Sequence, residues 1–177
     1  MSAPALDDWL PDPAVRVSHR RAARCSPDAL WSAAGQVRLE DTRVLGQLVR
    51  WRIPGLAADL RYVDLLRGEP FVLLEHTEHT LLSGLCGRIW TLRRDYPKLD
   101  GPEAFRAFDR PGQVRVLYAN WVTETDNGAS LHAEVRVGAT DARARLGLTA
   151  VRPLISAFQN LIGTEALATA IRLASRT

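Results

Sequence analysis

Lysine is almost absent from this sequence: Lys98 stands alone among 23 basic residues in a chain of 177. The arginines that replace it suit phosphate contacts, but they are scattered. The densest groups are Arg20, Arg21 and Arg24, then Arg50 and Arg52, then Arg93 and Arg94. With a net charge of only +3, no helix-turn-helix spacing and no basic stripe interleaved with aromatics, the pattern points away from nucleic acid. Cysteine is scarce too. Cys25 and Cys86 are far apart, and neither CxxC nor HExxH occurs. Two reduced thiols are therefore expected, with no structural zinc, no other metal and no cofactor.

Long apolar runs are missing. The longest are about as short as residues 71–74, far below the ~20 residues that a membrane-spanning helix needs. The amino-terminal MSAPALDDWL has no basic region followed by an apolar stretch, so no signal peptide is expected and the reading is a cytoplasmic protein. GxSxG, P-loop and Rossmann fingerprints are absent, which removes the usual support for hydrolase, NTPase and dehydrogenase activities. The 12 glycines and 10 prolines are ordinary in number and exclude a collagenous or wholly disordered chain. The length suits one domain: a polar lead-in at residues 1–12 and a single folded unit over 13–177.

What is present is alternation. Residues 14–24 place Val15 and Val17 on one face and Arg16, Ser18 and Arg20 on the other, a strand signature. Ser26-Pro27-Asp28 opens a short helix with an N-cap serine and proline at the first helical position. A second helical stretch is expected over 42–49, and Pro54-Gly55 breaks it. Strands are expected over 60–66, 71–77, 80–86 and 88–93, and one helical turn at 103–108. Two longer strands, 114–123 and 130–137, flank Asp126-Asn127-Gly128, a hairpin turn that supplies positive φ. In the second, Leu131, Ala133, Val135 and Val137 alternate with Ser130, His132, Glu134 and Arg136, which predicts one buried and one wet face. Thr140-Asp141 then caps a terminal helix reaching about residue 175, with a kink at Pro153. An antiparallel sheet followed by one long amphipathic helix implies an α+β fold in which the helix covers the sheet. The gap between the two is a natural ligand cavity.

Three stretches carry a family resemblance: Ser83-Gly84-Leu85-Cys86-Gly87-Arg88-Ile89-Trp90, then Phe105 through Asp109-Arg110-Pro111-Gly112, then Glu134-Val135-Arg136-Val137 leading into Thr140-Asp141. In this order, and with the kinked final helix, the chain resembles the START-like (SRPBCC) superfamily of polyketide cyclases and aromatases, lipid-transfer domains and hormone binders, and its uncharacterised bacterial members most of all. The resemblance implies a helix-grip fold, a curved antiparallel sheet wrapped around the C-terminal helix. It also implies a pocket for a small hydrophobic or amphipathic molecule, polyketide- or lipid-like. Thr149-Ala150 and Ile162-Gly163 stand where such members carry an aromatic pair and Ile-Arg, and these smaller side chains imply a larger or differently shaped cavity.

Candidate residues follow from strand phase. Asn120 shares a face with Val114, Val116, Tyr118 and Val122. A buried amide left unpaired costs about 1–3 kcal/mol, so it either pairs within the protein or meets a polar ligand atom. Tyr118 is either a general acid beside a ligand carbonyl or a core tyrosine. His19, in phase with Val15 and Val17, is either a cavity base or a strand-end residue facing solvent. Tyr118, Asn120 and His19 are thus the catalytic candidates, and Trp90, Val116, Val135, Leu154, Phe158 and Ile162 the candidate pocket lining. Two readings follow: a carrier or sensor of a small hydrophobic molecule, or a polyketide cyclase-, aromatase- or dehydratase-like enzyme. The sequence leaves oligomeric state open.

Overall fold

A computed structural model of the chain describes residues 3–89, 91 and 96–176. Its strands are β1 (Val15–Ala23), β2 (Val72–His76), β3 (Thr80–Gly87), β4 (Val114–Thr125) and β5 (Gly128–Ala139). They form one antiparallel sheet in the order β1-β5-β4-β3-β2. The helices are α1 (Pro27–Gln36), α2 (Leu45–Arg52), α3 (Tyr62–Leu65), α4 (Pro102–Arg106), α5 (Ala142–Leu161) and α6 (Leu167–Ala174). With the sheet gripped by its C-terminal helices, this is an α+β, helix-grip architecture. Among the described residues no helix is long and apolar enough to cross a membrane.

Local chemistry accounts for most boundaries. The Ser26 hydroxyl accepts from the Ala29 amide at 3.2 Å and opens α1. Asp141 opens α5 with a 2.7 Å bond from the Ala144 amide, and its other oxygen accepts from the Gly112 amide at 2.9 Å. These backbone donors hold its carboxyl below the usual range. In the β4–β5 hairpin Thr125 pairs with Gly128. Asn127 does not take positive φ; Gly128 does, at 136°. A Cβ on Gly128 would lie 2.3 Å from the Ala23 carbonyl oxygen, so glycine is required there twice over.

Two expectations need correction, and the terminal helix carries a feature that the sequence did not show. Residues 60–66 are not a strand. They include α3, because Tyr62 and Leu65 enter one apolar cluster at helical spacing. After β3 the chain turns at residues 88 and 89 instead of extending, and the remainder of the strand expected over 88–93 falls mostly outside the described residues. The terminal helix keeps Pro153 inside α5, and it changes register later, at a π-helical turn, Ile162–Ala166, between α5 and α6.

The second sheet face is also not wet. The first face buries Val116, Val135 and Val137 with Ala144 and Leu148 of α5, and Leu131 and Ala133 with Leu30 of α1 and Leu167 and Ala170 of α6. On the second face Leu6, Trp9 and Leu10, from the stretch expected as a polar lead-in, join Phe105 and Phe108 over Leu74, Leu82, Cys86 and Leu117. Glu134 and Arg136 are only 4% and 5% exposed beneath this cover. Both are paired: Arg136 bonds Glu134 at 2.6 Å and the Leu10 carbonyl at 3.0 Å, and also reaches Asp7, while Arg16 bonds Glu134 at 2.9 Å. Buried charges need such partners. Alternation located the face correctly but could not register that another segment would cover it.

Candidate functional site

A cavity of about 390 Å³ opens between the sheet, α1, α3 and α6. Its buried apolar surface comes from Val37 after α1, Leu81 of β3, Leu131 of β5, and Leu167 and Ala170 of α6. Asn120 of β4 supplies an amide among them. Strand register explains its place: Leu81, Asn120, Ala133 and His19 form one row across β3, β4, β5 and β1 on the helix-covered face. The volume lies within the ~300–1,000 Å³ of small-molecule sites.

The lining is chemically lopsided. It includes Arg61, Arg67 and His76, all exposed at the mouth, and no aspartate or glutamate. Arg61 is engaged by Asp64 at 2.7 Å. Arg67 has no carboxylate partner among the described residues; its guanidinium contacts the His76 Nε2. Tyr62, also in the lining, bonds the Thr42 hydroxyl at 2.7 Å. Burial pushes its phenol up to about 12, against the lowering effect of the Thr42 bond and with smaller contributions from Glu165 and Asp41.

Of the three catalytic candidates, Asn120 lines this cavity and Tyr118 and His19 do not. Tyr118 packs edge-on against Phe71, with ring centroids 5.5 Å apart, in the cluster that holds Val116 and Val135. Burial, and secondarily Tyr96, raises its phenol well above the ordinary range. His19 lies under the π-helical turn, its ring against Gly163. Its Nε2 is buried and has no hydrogen-bond partner among the described residues. Phe158 and Ile162 pack with Leu39, Leu45, Val49 and Leu65 beside the cavity rather than in its lining. Leu154 falls within α5 and its side chain lies outside the described set, as does Trp90 altogether.

Several lining residues escaped the sequence reading. Trp31, Leu81, Leu131 and Leu167 belong to segments recognised correctly as helix or strand, and Val37 directly follows α1, but periodicity gives a face and not a cavity. Tyr62 and Leu66 were hidden by taking 60–66 as a strand, and Arg67 directly follows that stretch. His76 and His79, three apart, go separate ways: His76 joins the lining and His79 bonds Asp28 at 2.7 Å. Cys25 and Cys86 are both free.

No protein-family model matches the chain, and no curated protein does. Among solved structures it is similar to protein MLL2253 from Mesorhizobium loti, at 16% identity and a TM-score of 0.39, over 92% of this chain and 98% of that one. It is similar to TTHA0849 from Thermus thermophilus at 10% identity and a TM-score of 0.34, over 92% and 96% of the two chains. The Zhui aromatase/cyclase from Streptomyces sp. R1128 aligns at 11% identity and a TM-score of 0.35, over 89% of this chain and 94% of its own.

Proposed function

We propose that the protein binds a small amphipathic molecule in the cavity between the sheet, α1 and α6. The apolar body lies over Leu81, Leu131 and Leu167, Asn120 meets a polar atom along it, and an acidic head reaches Arg67 at the mouth. One observation carries this reading: an apolar cavity whose charged lining is cationic and includes no carboxylate. A ligand carboxylate at the mouth would find a charged partner in Arg67, which no acid among the described residues holds. Binding is favoured over catalysis because Asn120 lines the cavity without Tyr118 or His19 beside it.

Dodecanoate and dodecanol, titrated into the protein by calorimetry, separate the parts of this reading. Both should bind, the acid more tightly. Arg67→Gln should weaken dodecanoate by roughly fivefold to tenfold, the worth of one partly solvated charge-assisted bond, and leave dodecanol nearly unchanged. Failure of both ligands and of longer or aromatic acids to bind would sink the reading. Recovery of any ligand in altered chemical form would favour the enzymatic alternative.

A further inference from the structure

Away from the cavity, α2 presents an uncovered apolar stripe. Val44, Leu48 and Trp51 are 47%, 36% and 64% exposed. They recur at the spacing of one helix face, while Leu45, Gly46 and Val49 face the interior. The stripe is held firmly. Leu45 and Val49 pack with Leu39 and Leu65. Glu165 of the π-helical turn accepts from the Val44 amide at 3.0 Å and the Leu45 amide at 3.0 Å, fixing the start of α2 to the C-terminal helices.

The charge around the stripe has one sign. Residues 42–58 contain Arg43, Arg50 and Arg52 and no acidic residue. Arg43 and Arg50 are exposed and form no ion pair among the described residues. Arg52 lies over the Tyr96 ring. Glu165 accepts the two α2 amides, and just before the segment Asp41 accepts the Arg38 amide at 2.8 Å and Glu40 pairs with Arg38, while Asp59, just after it, is exposed.

The geometry points to α2 as a docking surface for an anionic lipid bilayer. A helix lying in the plane of a membrane shows this combination, with tryptophan and aliphatic side chains entering the headgroup boundary and arginines beside them meeting lipid phosphates. Three side chains fall far short of the ~800 Å² per partner that a stable protein dimer buries, so a second copy of the chain fits the stripe poorly. This surface is independent of the cavity reading: it stands or falls without any ligand bound.

Co-sedimentation with vesicles tests it, using the full chain, phosphatidylcholine alone, and phosphatidylcholine mixed with phosphatidylglycerol. The expected result is binding to the mixed vesicles that weakens as salt rises, with little binding to the neutral ones. Leu48→Ser/Trp51→Ser should abolish it, and Arg43→Gln/Arg50→Gln should weaken it about tenfold or more. All four positions are exposed, and unchanged melting temperatures would show the fold intact. No binding to mixed vesicles overturns the proposal, and so does binding that survives Leu48→Ser/Trp51→Ser. A concentration-dependent dimer abolished by that same pair would assign the stripe to self-association instead.

Discussion

At Gly163 a Cβ would lie 2.4 Å from the His19 Nδ1 and 2.5 Å from its Cγ. An imidazole lodged between β1 and the π-helical turn cannot retreat without disturbing its neighbours, so Gly163→Ala should destabilise the fold by about 1–3 kcal/mol. The sign should change once the ring is gone. In a His19→Ala background the same substitution is relieved of this contact and gains helix propensity, up to ~1 kcal/mol. Urea unfolding of the four proteins of this cycle gives the coupling directly. Additive effects would mean that Gly163 and His19 do not share this contact. Phase along the strand was enough to place His19, Tyr118 and Asn120 on one sheet face. It could not divide them between separate surroundings, because that division depends on which helical segment lies above each strand.

Glu165 connects two elements that are 120 residues apart in sequence, capping α2 from the C-terminal helical region. Both carboxylate oxygens accept backbone amides at the positive end of the helix dipole. Glu165→Ala should cost about 1 kcal/mol, the usual worth of a helix cap. Glu165→Gln, which keeps one acceptor, should cost less. Equal losses in thermal or urea melts of the two variants would show that the backbone bonds do not depend on this carboxylate. A cap supplied from so far along the chain leaves no local motif, which is why the sequence offered no firm start for α2. Local caps were legible: Ser26 and Asp141 both act as their side-chain chemistry demands. The π-helical turn was not, since Ile162 and Gly163 continue a helical pattern; the turn lies over His19 and is bonded to the start of α2 through Glu165.

The molecule as a whole is a sheet covered on both faces. One cover is the helical layer that the terminal apolar stripe foretold; the other is the N-terminal segment with residues 101–110. The α+β order and the strands of the sheet emerge from alternation and turn residues. The second cover does not, because Leu6, Trp9 and Leu10 are too few to show a period, and Arg136 and Glu134 carry the composition of a solvated face. The cavity follows from the same asymmetry. Helices α1 and α6 pack on the sheet around Asn120 and α3 closes one side, an arrangement of segments that no single stretch encodes.

Gly35 gives the most direct test of that cavity. It lines the space from α1, and a Cβ placed on it meets nothing within 4 Å. Replacing a helical glycine removes a penalty of up to ~1 kcal/mol. Gly35→Trp should therefore leave the melting temperature unchanged or raise it, while the bulk occupies ligand space and weakens dodecanoate at least tenfold. Dodecanoate binding at wild-type affinity in a normally folded Gly35→Trp protein would contradict the cavity as the ligand site.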